Sequence, residues 1–218
     1  MILDIHTAPG SQNGFDNSGR MGTKATALGW SSKPENIKRS LLVIEELSKA
    51  IAAERLENVV TGIEILNEIY GDADPAVVKN FYGDAFSIIR NVLGNETTVV
   101  VSDFFDAGQF NGFWSDPKIY ENTLLDSHFY SVFSEKLRSM SPKQHVAFIC
   151  GHYARELERC CWENEQRSKG IGRIVGEWTA SYDSLVSTQI NDVFEYIVSM
   201  RKMRKMKKYP LTRCIFFS

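Results

Sequence analysis

A chain of 218 residues with 43% hydrophobic and 24% charged residues has the composition of a soluble globular protein with one sizeable core. Its net charge of −2 gives no general attraction to nucleic acid or anionic membrane, and no apolar run approaches the roughly 18 residues that span a bilayer. Met1 leads directly into Ile2-Leu3-Asp4-Ile5-His6, without the basic leader and cleavage site of a signal peptide.

In chain order, Ile2 to Ile5 is a short apolar run ending at His6. A Gly-, Ser- and Asn-rich loop from Ala8 to Gly29 follows, long enough to be functional or disordered. Pro34 suits the first turn of a helix, and Ile37, Leu41, Ile44, Leu47 and Ile51 repeat at helical spacing. Val59 to Leu66 is a β-branched and apolar run that stops at Asn67 and Glu68. Asp74-Pro75 starts a second helix, with Val78, Phe81, Ala85, Ile88 and Val92 as its stripe and Gly94 as its end. Thr97 to Val101 is a third run, ending at Ser102-Asp103 and followed by Phe104, Phe105, Phe110, Phe113 and Trp114. Leu124-Leu125 opens a fourth, ending in Ser127-His128-Phe129-Tyr130. Ser141-Pro142-Lys143-Gln144 reads as a capping box, and its helix carries Val146, Ile149, Tyr153, Leu157 and Cys161 on one face. Ile171 to Val175 is the fifth run, ending at Glu177-Trp178, and a last helix is expected from Leu185 to about Lys207.

This alternation of strand and helix predicts parallel strands with helical crossovers. An open doubly wound sheet and a (β/α)8 barrel both fit. The barrel is favoured because every run ends in a chemically capable group: His6, Asn67/Glu68, Asp103, His128/Tyr130 and Glu177. No glycine-rich nucleotide fingerprint is present. Five runs are fewer than the eight strands of a closed barrel. The expectation is therefore an incomplete (β/α)8 barrel over residues 1–183, then a helix with a basic tail over 184–218.

Two glutamates at the ends of different strands are the pair that glycoside hydrolysis uses: one protonates the leaving oxygen, the other attacks the sugar or activates water. Solvated or salt-bridged glutamates are the plainer reading. Glu64 shares a face with Glu68 deeper in its strand, where a structural ion pair is expected. No HxH or HxxxH spacing supports a metal site, and His145 and His152 read as ordinary helix residues. The basic run Arg201 to Lys208 reads as a charged helix end rather than a nucleic-acid site. Cys150, Cys160, Cys161 and Cys214 make no CxxC pair and read as small buried thiols, with a Cys150–Cys214 bridge left open. Asn95-Glu96-Thr97 fits a glycosylation sequon.

The segment from Leu3 through His6-Thr7-Ala8-Pro9-Gly10-Ser11-Gln12-Asn13-Gly14-Phe15-Asp16-Asn17 to Gly19 closely resembles one in the fungal exo-β-1,3-glucanases of glycoside hydrolase family 5. Gly62 to Glu68, Asp126 to Phe133 and Gly176-Glu177-Trp178 resemble three more of that family's motifs, in the same order. The resemblance implies a (β/α)8 barrel and retaining hydrolysis of β-glucosidic bonds without a cofactor. Its acid/base corresponds to Glu68 and its nucleophile to Glu177, with carboxyls about 5–5.5 Å apart in that chemistry. It further implies substrate contacts from His6, Asn17, Asn67, His128 and Tyr130, and an aromatic pair from Phe15 and Phe133 flanking the sugar.

Thr7, Ile69, Ser127 and Phe129 depart from the family pattern without removing a proton donor or nucleophile. The family's first two strands and its last have no counterpart, so the chain is expected to correspond to strands three to seven, truncated at both ends. The expected activity is release of glucose from the end of β-1,3-glucan. An endo-acting β-glycanase of the same family and an inactive carbohydrate-binding remnant are the alternatives. The expected partner is the glucan, with no nucleic acid and no membrane span. The family implies an extracellular or cell-surface location.

Overall fold

The computed structural model describes residues 1–19, 29–70, 73–114, 116, 118–158, 160 and 171–179. The expected helix from Leu185, the basic run, Cys161 and Cys214 lie outside them. The chain divides into two compact units, residues 1–127 with 160–174 and residues 128–159 with 175–218.

Among the described residues, five strands occur in chain order: β1 (Ile2–Asp4), β2 (Gly62–Glu64), β3 (Thr98–Ser102), β4 (Thr123–Phe129) and β5 (Gly172–Trp178). They form one sheet in the order β1-β2-β3-β4-β5. The pairs β1/β2, β2/β3 and β3/β4 are parallel, with Ile63 level with Leu3 on one side and Val99 on the other. Sequence-adjacent parallel neighbours with helical crossovers are the arrangement of successive strands in a (β/α)8 barrel, and the open doubly wound alternative is set aside because the strand order never reverses.

The apolar runs and the strands differ at their ends. Of Val59 to Leu66 only Gly62–Glu64 is regular strand. Val60 closes a turn on the Leu56 carbonyl at 2.8 Å, and parallel bonding continues past the strand through Ile65 N–H to the Val100 carbonyl (2.9 Å) and Asn67 N–H to the Ile5 carbonyl (3.0 Å). β5 runs on through Glu177, which therefore sits inside the strand. Gly62 lets β2 fit between its neighbours: a Cβ there would lie 3.0 Å from the Thr98 carbonyl oxygen and 3.2 Å from the Ile2 side chain.

Helix α1 (Pro34–Ala53) packs along α2 (Pro75–Leu93). The buried face of α1 is narrower than its apolar spacing suggests: Ile44 and Ile51 are buried with Asn36, Ser40 and Ser48, while Ile37, Leu41 and Leu47 lie at the margins. Small side chains allow close approach. Their hydroxyls return to the helix, Ser40 to the Asn36 carbonyl and Ser48 to that of Ile44. In α2 the face turns toward Tyr82, Phe86 and Ile89, leaving Ile88 and Val92 at its edge. The Asp74 carboxylate accepts the Ala76 N–H at 2.8 Å to cap its start.

The aromatic-rich segment after β3 folds over α2. Trp114 packs edge-on against Phe113 at 4.7 Å and Tyr120 at 4.6 Å, and Tyr82 lies 5.9 Å from Phe110. The Tyr82 hydroxyl donates to the Ser102 carbonyl at 3.0 Å, and burial together with the charges of Glu64 and Asp103 raises its pKa well above the usual phenol value. Arg90 ties the far end of the sheet together: its guanidinium donates to the carbonyls of Thr97 (2.6 Å), Gly94 (3.3 Å), Glu121 (2.6 Å) and Asn122 (3.3 Å) and lies 4.7 Å above the Phe86 ring. Arg90→Leu is expected to destabilise the chain by about 2–3 kcal/mol, read from denaturant midpoints, and Arg90→Lys to recover little because an ammonium lacks the planar fork.

In the second unit, α3 (Glu135–Arg138) precedes α4 (Pro142–Phe148), whose start carries the capping box of Ser141 and Gln144. The helix does not continue at a uniform 3.6-residue period. Ile149–Tyr153 form a π-turn before a last helical turn at Ala154–Leu157. The extra residue rotates the face, so Val146 is buried while Ile149, Tyr153 and Leu157 are only half-buried. Tyr153 is thereby stacked on Phe129 at 4.1 Å with 5° between the rings.

Cys150 and Cys160 are both disulfide-bonded, which corrects the reading of the cysteines as thiols. The reason that reading failed is geometric: bridges join residues by spatial proximity, which irregular sequence spacing does not reveal.

His145 is buried, and burial pushes its pKa below 6.5, partly opposed by a hydrogen bond with the Leu137 backbone. Its imidazole therefore stays neutral where the unfolded chain takes up a proton. The sign is fixed: stability is complete above about pH 6.5 and falls as pH drops from there toward the folded value. Denaturant midpoints at pH 7.5 and pH 5.5 should differ less for His145→Gln than for the parent.

Candidate active site

Within the first unit the site is built on the carboxyl ends of β1 and β2. The Asn67 N–H to Ile5 carbonyl bond fixes Asn67 and Glu68 beside the end of β1. His6 Nδ1 lies 2.6 Å from Asp4 Oδ2, and His6 Nε2 lies 3.4 Å from Asn67 Nδ2. This pattern assigns the proton to Nδ1, donated to Asp4, and leaves Nε2 as the acceptor from the Asn67 amide. Asp4 was not singled out by the sequence reading, although period-two alternation places residues 4 and 6 on one side of an extended chain.

Glu68 is 7% exposed and adopts φ +41°, a left-handed conformation that a glutamate seldom takes. Asn17 Nδ2 donates to Glu68 Oε2 at 2.9 Å. Asn17 comes from the short 3-10 turn Asp16–Ser18, which Phe15 precedes. The turn is anchored by Thr7 Oγ1 to the Ser18 carbonyl (2.7 Å) and by Gly14 N–H to Ser11 Oγ (2.8 Å).

Gln12 supports this half-site. It is fully buried; its amide donates to the carbonyls of His6 and Asn67, each at 3.0 Å, and its oxygen accepts the Ala8 N–H at 3.1 Å. One side chain thus joins the loop to both strand ends. Gly10, at φ +88°, makes the turn before it: a Cβ there would stand 2.6 Å from the Gly29 backbone. The part of the long loop that is described, residues 8–19, is therefore ordered by specific bonds. Gln12 lies within the recognised segment but carries no reactive group, so nothing in its chemistry marked it.

Glu64 is buried in β2, its carboxylate within 4.8 Å of that of Asp126 and close enough to Tyr82 to raise the phenol pKa. Asp103, the polar end of β3, accepts the Phe105 N–H at 2.8 Å and so serves the turn.

The second unit holds the other set. Tyr130 donates its hydroxyl to Glu177 Oε2 at 2.6 Å, and His128 Nδ1 lies 3.5 Å from the same oxygen. Tyr130 also packs edge-on against Phe133 at 5.6 Å between ring centres, and Phe133 is 84% exposed. His6, Asn17, Asn67 and Glu68 are thus brought together in one unit, and His128, Tyr130, Phe133 and Glu177 in the other. Phe15 stands beside the first set, 38% exposed.

Parallel strands in chain order with helical crossovers define an incomplete (β/α)8 barrel, and each unit carries its own set of carboxylate, amide or imidazole groups. The family model of cellulases, glycosyl hydrolase family 5, matches residues 1–212. The chain belongs to that family. It is 37% identical over 184 residues to a glucan 1,3-beta-glucosidase of Blumeria graminis, covering 83% of this chain and 38% of that protein. It is 31% identical over 185 residues to one from Pichia angusta (82% and 38%) and 32% identical over 181 residues to one from Yarrowia lipolytica (82% and 39%). The chain spans about two fifths of the length of these relatives.

Because Gln12 satisfies two strand-end carbonyls, one buried and one partly buried, and an amide, Gln12→Leu should cost about 2–4 kcal/mol of stability, read from thermal or denaturant melts. In amide hydrogen exchange the loss of protection should centre on residues 6–12 and 65–68.

Proposed function

We propose that the chain performs retaining hydrolysis of β-1,3-glucan, releasing glucose from the chain end, with Glu68 as acid/base and Glu177 as nucleophile. The observation that carries this reading is the same on both glutamates: each is fixed through one carboxylate oxygen by a donor of its own unit, Asn17 on Glu68 Oε2 and Tyr130 on Glu177 Oε2. Family membership and the printed names of the relatives, glucan 1,3-beta-glucosidase, support the substrate.

The division of oxygens suggests the roles. With Tyr130 on Oε2, Oε1 of Glu177 attacks the anomeric carbon, and a covalent glycosyl ester forms as the bond to the leaving sugar oxygen breaks. With Asn17 on Oε2, Glu68 carries its transferable proton on Oε1 and delivers it to that leaving oxygen. In the second step Glu68 takes a proton from water, the water oxygen attacks the anomeric carbon, and Glu177 leaves as carboxylate. The sugar retains its configuration. The reaction uses no cofactor. His6, Asn67 and His128 supply polar contacts to the sugar in this reading, and Phe15 and Phe133 supply apolar faces.

An extracellular or cell-surface location belongs to the same proposal. The disulfides of Cys150 and Cys160 support it, since such bonds persist in oxidising compartments. No helix among the described residues is long and apolar enough to cross a membrane.

Glucose release from laminarin, with carboxymethyl-cellulose as the comparison, tests the activity, and proton NMR of the first product tests retention: β-glucose must appear before mutarotation. Glu68→Gln is expected to lower kcat by about 10²–10⁴-fold, the range general acid–base catalysis supplies. Glu177→Gln should lose at least as much. If both variants still cleave laminarin at the parent rate, the assignment is wrong.

A further inference from the structure

The chain holds a single Asn-x-Ser/Thr sequon, Asn95-Glu96-Thr97, and no step of the hydrolysis uses it. The sequon forms the turn between α2 and β3: Gly94 caps the helix, and β3 begins at Thr98. Asn95 and Glu96 are exposed, whereas Thr97 is 4% exposed.

Backbone carbonyls, rather than the Asn95 side chain, hold this turn. The Asn122 amide donates to the carbonyls of Asn95 (3.2 Å) and Glu96 (2.7 Å). The Arg90 guanidinium donates to those of Gly94 (3.3 Å) and Thr97 (2.6 Å). Among the described residues, no hydrogen bond uses the Asn95 side-chain amide. Space is also present. Gly94 has φ +74°, and a Cβ placed on it would meet no atom within 4 Å. A group attached to Asn95 Nδ2 therefore breaks none of the bonds that fix the turn and extends into solvent.

The turn lies at the amino end of the sheet, where Thr98 stands level with Gly62. Asn67 and Glu68 lie beyond the opposite end of β2. The five residues of β3, at about 3.3 Å each, separate the two ends by roughly 16 Å. A bulky hydrophilic group at Asn95 thus leaves the carboxyl ends of these strands open.

We propose that Asn95 carries an N-linked oligosaccharide, attached before the chain folds. The inference rests on the extracellular or cell-surface reading, since the oxidising compartment that forms the disulfides of Cys150 and Cys160 is also where such sugars are added. The donor is an oligosaccharide on a lipid pyrophosphate. A bond forms between Asn95 Nδ2 and the anomeric carbon of the first sugar, and the bond from that carbon to the pyrophosphate oxygen breaks. The lipid pyrophosphate leaves with the electron pair and takes up the proton that the amide loses. The burial of Thr97 sets the order of events. The transferase must engage the threonine hydroxyl together with the asparagine amide on an extended segment, and the folded turn withholds that hydroxyl while its carbonyls stay bonded to Asn122 and Arg90.

The test expresses the 218-residue chain behind a cleavable secretory leader in yeast and maps every chain from which the leader has been cut, secreted or retained. Enzymatic removal of N-glycans in heavy-oxygen water should convert residue 95 to a labelled aspartate and shift the chain by one glycan on gels. Asn95→Gln and Thr97→Ala should abolish the shift, and Thr97→Ser should keep it. Asn95→Gln changes an exposed side chain, so its thermal melt should match that of the deglycosylated parent. With purified oligosaccharyltransferase and lipid-linked donor, the folded chain should react at least about tenfold more slowly than the same chain unfolded and carboxymethylated, because the turn must open first. An unlabelled asparagine at position 95 on leader-cut chains overturns the modification, and equal rates for folded and unfolded chain overturn its timing. The same mass map reads the oxidation of Cys150 and Cys160, so a bare Asn95 beside oxidised cysteines separates failure of the proposal from failure of the location.

Discussion

The position of β2 between β1 and β3 is the constraint from which the site follows. Parallel pairing on both sides sets Ile63 level with Leu3 and Val99, and Gly62 allows the close fit against Thr98 and Ile2. A one-residue slip would turn every side chain of β2 to the opposite face and with it the direction of the segment beyond. Because the register holds, Asn67 pairs with the end of β1, and Glu68 arrives next to Asn17. The core of large aromatic side chains around Tyr82 and Trp114 and the Arg90 bonds at the other end of the strands all serve to keep this sheet fixed.

A rigid sheet alone does not hold a carboxylate in one rotamer. Here the loop between β1 and α1 supplies that, and Gln12 connects it to both strand ends. The second unit uses a different means: Tyr130, the residue that follows β4, reaches Glu177 directly. In each case one carboxylate oxygen is committed to a neutral donor, which leaves the charge of the group intact while restricting its direction. Among the non-glycine residues in left-handed backbone, Glu68, Phe104 and Phe105 lie just beyond the carboxyl ends of β2 and β3, where orientation has been kept at the expense of a relaxed chain.

Much of the fold was legible in the sequence because it depends on local pattern. The apolar runs located the five strands found among the described residues, and Pro34, Asp74-Pro75 and Ser141-Pro142 located three helix starts. Strand bounds shifted by a few residues because ladder bonds, not hydrophobicity, end a strand. The faces of α1 and α2 turned away from the predicted stripes because Ser40, Ser48 and Tyr82, ambiguous in a hydrophobic pattern, pack well at close approach. The π-turn at Ile149–Tyr153 had no signal in the spacing, since a single inserted helical residue is chosen by what it packs against.

By itself, the sequence determined the strand–helix alternation and the family, and it marked the chemically capable residue types that close the apolar runs: His6, Asn67, Glu68, His128, Tyr130 and Glu177. These features are local or linear, and a one-dimensional pattern is enough to carry them. Tertiary structure alone decided which donor each carboxylate meets, that Asp4 orients His6, that Gln12 joins loop to sheet, that Cys150 and Cys160 are each held in a disulfide, and that Phe15, Tyr70 and Phe105 stand in one exposed row. The hydrogen bonds and ring contacts among these join residues from two to 55 positions apart. Their energies depend on distance and direction in space, which chain separation does not specify.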